Sequence, residues 1–300
     1  MISVNKNKSY KWAIVTVMFL WAICYPLIVL GLDNAPHITF AALRALLAGL
    51  TLLIIAIILG RPQPKKLIQW LYIAGIGIGA TSIGFYGMFH ASEFVSPGLA
   101  TVLTSLQPML TAVLAFLFIK ESMQTNETIA IILGFIGMLI IATNQNTDSS
   151  SINPLGLTYL ILTIVGLSIS NILIKKITGK VDALVAMGWQ LIFGALVLWV
   201  IALTTENPTE INWNKHFIIS LLGLSIFGTA LAYWLWFKVL ENVDLVYANS
   251  FSFLVPALGI LMGLTFFKEV FDVQKAIGVA LIFIGIVIIY LPIRRKPHDI

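Results

Sequence analysis

The chain has 300 residues, of which 59% are hydrophobic and only 10% charged, and its mean hydropathy is +0.97. A soluble domain carries about a quarter charged residues, so this composition cannot cover a water-facing surface and excludes a soluble globular fold. The net charge of +5 does not mark a nucleic-acid binder, because the basic residues stand in short loops between apolar runs and never form an extended basic face.

The apolar runs are about 20 residues long, the length an α-helix needs to cross a hydrocarbon core of about 30 Å. In chain order they predict ten spans, near 12–32, 38–59, 68–90, 96–119, 126–143, 154–174, 183–203, 216–237, 246–267 and 274–292. The expected fold class is therefore an all-α integral membrane protein. The first run follows Lys6, Lys8 and Lys11. It is longer than a signal-peptide core and no small-x-small cleavage site follows, so it reads as a retained span. Cys24, the single cysteine, lies inside it, which rules out an intrachain disulfide. Between runs, "GLDNAPH" (31–37), "GRPQPKK" (60–66), "NQNTDSSSINP" (144–154) and "TTENPTEINWN" (204–214) collect the Gly, Pro, Asn and Asp that favour turns.

Orientation follows from Lys and Arg. With the N-terminus inside, fourteen of the 18 basic residues fall on cytoplasmic segments, Lys215, Lys268 and Lys275 fall outside, and Arg44 lies within a span. This positive-inside bias places both termini in the cytoplasm of a multi-pass protein of the cell membrane, and requires an even number of spans.

A repeat runs through the chain. "SLQPMLTAVLAFLFIKE" (105–121) and "FLVPALGILMGLTFFKE" (253–269) share a proline, an apolar stretch and a terminal Lys-Glu. The interval of 148 also lays Gly75 on Gly223, Thr81 on Thr229, Phe85 on Tyr233, Phe89 on Phe237, Glu93 on Glu241 and Gly137 on Gly285. An interval of 146 lays Arg44 on Gln190 and Ala48 on Gly194. The expected units are residues 12–143 and 154–292, joined by an outer linker at 144–153. Five spans each is an odd number, so the second unit enters the bilayer upside down. Two inverted five-helix repeats are a transporter architecture with a midplane site.

These two motifs, with "GFIGMLIIA" (134–142), "ALIFIGIVII" (280–289) and "LRALLAG" (43–49), resemble the EamA-like family of the drug/metabolite transporter superfamily over nearly the whole chain. The resemblance implies that spans 1–4 and 6–9 enclose a central cavity, that spans 5 and 10 are peripheral, and that the substrate is a metabolite such as an amino acid. The second unit departs from the first at Gln190, which stands where Arg44 stands, and at Ile282, which stands where Gly134 stands.

Candidate functional residues are the polar and aromatic side chains inside spans. Pro108 and Pro256, read as bends in helix interiors, each free a backbone carbonyl four residues earlier, at Thr104 and Ser252, and are either candidate hinges lining the cavity or static kinks that improve packing. Arg44 lies seven residues into span 2, roughly 10 Å deep. It either snorkels to the outer face or pairs structurally with a carbonyl or carboxylate, or else it holds a substrate carboxylate or gates the outer mouth. Trp21 and Tyr25 share a face of span 1, and Tyr86 and His90 share a face of span 3. Gln107, Asn171, Gln190, Tyr233, Trp236 and Asn249 complete the expected substrate site, with Trp189, Trp234 and Ser250 beside them. Together they predict an aromatic, mostly neutral pocket. Trp12, Trp70, Trp199 and Trp213 read instead as interfacial anchors, and the two Lys-Glu pairs as anchors that cap neighbouring helices or gate them. "AGIGIGATSIGFYG" (74–87) and the Gly259/Gly263 pair predict close helix packing. The span 3 glycines make no nucleotide loop, since no strand precedes them.

No Asp or Glu stands in the middle of a span, which leaves Glu93 and His90 as the candidates for proton coupling. The function expected is a secondary transporter that exports small metabolites, amino acids or related amphipathic compounds, by alternating access. Its partners are the lipid bilayer, the metabolite and, as a candidate coupling ion, the proton; monomer and homodimer are both compatible. No cofactor, metal or nucleic acid is called for. A non-transporting sensor or scaffold is the first alternative. A membrane-embedded lipid enzyme is the second, but the four His at 37, 90, 216 and 298 are scattered, and neither HExxH nor GxSxG occurs.

Overall fold

The computed structural model describes residues 3–94, 104–143, 154–267 and 273–289, and among them every regular element is helical. Ten apolar helices follow in order: α1 (Tyr10–Leu32), α2 (His37–Ile58), α3 (Leu67–Ala91), α4 (Gln107–Ile119), α5 (Thr125–Ile141), α6 (Pro154–Ile177), α7 (Ala183–Thr205), α8 (Lys215–Asn242), α9 (Leu245–Met262) and α10 (Val273–Ile289). Seven of them, α1–α3 and α6–α9, are long and apolar enough to cross a membrane, and the other three are shorter. Large apolar side chains cover the outer faces: Ile58 is 76% exposed, Phe116 63% and Leu203 66%. Such a surface is stable only against lipid.

Four helices are irregular, and the irregularities position the interior. α1 is interrupted at Ile23, between helical segments Ser3–Ala22 and Cys24–Leu32. The break precedes Pro26, which can give no N–H to the carbonyl of Ala22; the sequence reading had singled out only Pro108 and Pro256. α3 and α8 each widen into π-helical turns, at Gly77–Ile83 and Leu224–Leu231. α9 tightens into a 3₁₀ turn at Ser250–Phe253, just before Pro256. Helix α4 starts at Gln107 with Pro108 in its first turn, directly after a non-helical turn at Ser105–Leu106. Both prolines therefore open new helical segments where an interior bend was expected, because the first turn is where a missing N–H costs nothing. α8 runs to Asn242, five residues beyond the expected end at 237, and Lys238 and Glu241 pair at 2.8 Å across its last turn.

Helices of the first half pack on helices of the second. α2 lies along α7, α5 along α10, α3 along α6 and α7, α1 along α8 and α9, α8 against α2, and α4 against α6 and α9. Glycines set the closest approaches. A Cβ at Gly77 would strike the Gln190 carbonyl, and one at Gly194 would strike Thr81, so α3 and α7 touch backbone to backbone. One at Gly79 or Gly87 would strike Ser170 or Thr163 on α6. Gly259 behaves otherwise: nothing stands within 4 Å of a Cβ there, so half of the expected span 9 glycine pair brings no described helix close. The surroundings of Gly263, and the Lys268-Glu269 pair, lie outside what is described.

Candidate functional site

The interior polar groups cluster where the π-helical turns meet the facing helices. A π turn advances by wider steps than an α turn and re-aims its side chains. In α8 it carries Thr229 to α2, where the Arg44 Nε donates to Thr229 Oγ1 at 2.8 Å. In α3 it carries Thr81 to α7, where Thr81 Oγ1 donates to Gln190 Oε1 at 2.9 Å. Arg44 is 5% exposed and Gln190, Thr81 and Thr229 are fully buried.

Arg44 does not snorkel. Its guanidinium lies 4.7 Å from the centre of the Phe85 ring, and Nη2 points at Cys24 Sγ at 3.8 Å. Cys24 sits with its sulfur against Gly228, where a Cβ has no room. Below Arg44 on α8 lie Tyr233 and Trp236, both buried. The Trp21 ring meets Tyr233 at 6.3 Å and Trp236 at 5.3 Å between centroids. The Trp236 indole N–H donates to Asn171 Oδ1 at 2.9 Å. Trp21, Tyr233, Trp236 and Asn171 thus form one continuous strip from α1 across α8 to α6, and Tyr233 stands four residues along α8 from the Thr229 that holds Arg44.

The other expected residues occupy neighbouring seams. Gln107 Nε2 donates to Thr111 Oγ1 at 3.1 Å, and Thr111 donates to Ser168 Oγ at 3.1 Å, which ties α4 to α6. Tyr86 and His90 stack at 4.5 Å, and Tyr159 of α6 meets them edge-on at 5.8 and 5.5 Å. The Nδ1 of His90 is buried without a described partner. Asn249, on α9 before its 3₁₀ turn, accepts from Ser252 Oγ at 3.2 Å through Oδ1, and its Nδ2 is unpartnered. Ser250 is spent on the Val246 carbonyl at 2.8 Å. Trp189 faces away from Gln190: it packs on Trp70 and donates to Gln63 Oε1 at 3.0 Å at the end of the bundle. The Tyr25 and Glu93 side chains lie outside the described residues.

Two end contacts join helices far apart in the chain, and the first is the cap on a neighbouring helix expected of the Lys120-Glu121 pair. The Glu121 carboxylate reaches the N-terminus of α9, accepting from the backbone N–H of Leu245 at 2.8 Å and of Val246 at 3.3 Å, while Lys175 Nζ stands 3.6 Å away. Burial raises the Glu121 carboxyl above its ordinary value near 4.5; Lys175 opposes the shift and Asp244 reinforces it. At the opposite end Glu206, just past α7, caps α2 by accepting from the N–H of Ile38 at 2.8 Å and of Thr39 at 2.7 Å, and from the Thr39 hydroxyl. A carboxylate at a helix N-terminus meets both unpaired N–H groups and the positive end of the helix dipole. The Lys-Glu motif marked Glu121 as a cap but not the helix it would reach, and nothing marked Glu206, since the partners are 124 and 168 positions apart. Thr81 and Thr229 did carry a signal: the repeat aligned them with each other, and Arg44 with Gln190.

Comparison with known proteins supplies the family. A sequence model of the EamA-like transporter family matches residues 8–143 and again 154–291. An uncharacterized transporter of Bacillus subtilis, YvbV, is 27% identical over 91% of this chain and 88% of its own length. Protein PecM of Dickeya dadantii is 29% identical over 83% of this chain and 81% of its own length. A WAT1-related chloroplastic protein of Arabidopsis thaliana is 24% identical over 97% of this chain and 72% of its own length. One crystal structure superposes with a TM-score of 0.79 over 94% of this chain and 96% of its own, at 17% identity, a likeness of fold.

Proposed function

The chain belongs to the EamA-like transporter family and is an integral multi-pass membrane protein, and we propose that it is a secondary transporter that exports small metabolites from the cell by alternating access. In this reading α1–α5 and α6–α10 are inverted repeats, with both termini cytoplasmic. Exchanging each helix for the one five places on turns the α1–α8 contact into α6–α3, α2–α8 into α7–α3 and α4–α6 into α9–α1. It returns α2–α7, α4–α9 and α5–α10 to themselves. A two-fold axis in the membrane plane has this effect.

The observation that carries the proposal is the crossed pair of hydrogen bonds, Arg44 to Thr229 and Thr81 to Gln190. Each joins a helix of one half to a π-helical turn of the other, and each partner is the repeat-equivalent of the other pair's. Costly buried polar groups on the seam between two halves are what a site exposed alternately to either side requires. The strip Trp21, Asn171, Tyr233 and Trp236, with Arg44, is the proposed substrate surface, flanked by Gln107, Gln190 and Asn249, with Tyr86 and His90 toward the outer mouth. The helix starts at Pro108 and Pro256 are the proposed hinges.

The test is flux. Purified protein in liposomes should move metabolites, and Pro108→Ala with Tyr86→Ala should slow that movement. If no amino acid or related metabolite crosses, with or without a pH gradient, the transport reading falls. A resistance screen with toxic metabolite analogues in overproducing cells would find the substrate.

A further inference from the structure

The hydrogen-bonding capacity left over around the crossed pair is of one kind. A guanidinium has five N–H donors and no acceptor. Arg44 spends Nε on Thr229 and one Nη2 hydrogen on the weak acceptor Cys24, and faces the Phe85 ring. No carboxylate stands within ion-pair distance of it among the described residues. Gln190, fully buried, uses Oε1 to accept from Thr81 and leaves Nε2 with no partner. The two sites are neighbours on α3: Thr81 touches Gln190, and Phe85, one helical turn or about 6 Å further on, lies under Arg44. One buried positive charge and an unmet amide donor thus share one α3 face, and the charge has no counter-ion among the described residues. Groups in this condition are costly in a protein interior, and an acceptor with negative charge relieves both.

Resting on the transporter reading above, we infer that the substrate is a small organic anion whose carboxylate is held by Arg44, with Gln190 Nε2 donating to a second acceptor, and that organic cations are excluded. The ion pair forms only when substrate arrives, so the anion is the missing counter-ion of the fold. The aromatic strip of Trp21, Tyr233 and Trp236 lies next to Arg44 and receives the apolar body of the molecule. The inference also speaks to energetics. A monoanion leaving an inside-negative compartment is driven by the membrane potential itself, by about 50-fold in concentration ratio per 100 mV, so no buried carboxylate is needed to couple protons.

Charge-paired probes test this. A panel of two- to ten-carbon monocarboxylates, aliphatic and aromatic, is compared with the matching primary amides and amines for thermal stabilisation of the purified full chain. The expected result is that stabilisation is confined to carboxylates, is lost at least tenfold in affinity in Arg44→Gln, and is partly kept in Arg44→Lys. Gln190→Leu should weaken carboxylates several-fold and serves where Arg44→Gln does not fold. Stabilisation by amines, by no member of the panel, or by carboxylates equally in wild type and Gln190→Leu and Arg44→Lys, overturns the inference. Liposome flux of the stabilising probes under an imposed potential separates the two readings. Carboxylate binding without flux sinks transport and leaves the anion site standing, whereas flux of amines keeps transport and sinks the anion site.

Discussion

The Arg44 guanidinium of α2 and the Thr229 hydroxyl of α8 meet at 2.8 Å across 185 positions of chain. The repeat-equivalent residues, Gln190 and Thr81, meet at 2.9 Å. One bond has a charged donor and the other a neutral one, so the two halves are related in geometry and unlike in electrostatics. That difference can be measured.

Thr229→Val removes the acceptor from a buried cation and should cost about 1.5–3 kcal/mol, the range for hydrogen bonds to charged groups. Thr81→Val removes a neutral partner and should cost about 1 kcal/mol. Thermal or chemical unfolding of both variants in the same detergent gives the comparison. Equal losses would mean that the Arg44 charge is met elsewhere.

Glu206 makes three hydrogen bonds to the start of α2. Glu206→Ala should destabilise the protein by about 1–2 kcal/mol, as the loss of a helix cap does. Glu210, exposed and bonded only to Asn207, is the control, and its alanine variant should change stability by less than about 0.5 kcal/mol.

Glu121 gives a pH dependence. Its carboxyl is raised, chiefly by burial, with Lys175, Asp244 and Glu127 as the charged groups around it. Between the ordinary value near 4.5 and the raised one, the folded chain keeps a proton that the unfolded chain has released, so this group's contribution to stability falls as pH rises through that window. Wild type should therefore lose ground to Glu121→Gln as pH rises from 4.5, with the difference constant above the raised value. Melting curves of the two proteins across that range would show a flat difference if Glu121 is not raised.

Gly77 and Gly259 are a matched pair of tests. A Cβ at Gly77 meets the Gln190 carbonyl, whereas at Gly259 it meets nothing within 4 Å. Gly77→Ala should push α3 from α7, break the Thr81–Gln190 bond and lower the melting temperature. Gly259→Ala should leave it unchanged or raise it slightly, because alanine restricts the unfolded chain. Similar melting of both variants would contradict the close α3–α7 contact.

Much of this was legible from the chain alone, residue by residue. Run length and loop composition located most helix ends to within about five residues, because a helix in lipid must satisfy its own backbone and be apolar throughout its exposed length; the exception is span 4, expected from 96, whose apolar helix starts at Gln107. The intervals 148 and 146 paired Thr81 with Thr229 and Arg44 with Gln190, because the two motif-bearing segments repeat at that spacing. The π-helical turns at Gly77–Ile83 and Leu224–Leu231 were not legible. The glycine-rich "GIGATSI" admits close packing, but whether the chain takes an extra residue per turn depends on the helix it meets.

What the amino-acid sequence by itself determined was therefore a membrane-spanning, all-helical chain with an internal repeat and with polar residues standing inside its helices. Those properties follow from local hydrophobicity and from spacing along the chain. Which polar residues meet was decided only in three dimensions. Arg44 turns to Thr229 and Phe85 instead of the bilayer surface, Glu121 and Glu206 cap helices far along the chain, and Trp189 and Gln190, adjacent in sequence, face opposite ways. Consecutive side chains on a helix point about 100° apart. Their partners depend on how helices are docked, and that docking is fixed by glycine contacts and π-helical turns between segments more than a hundred residues apart.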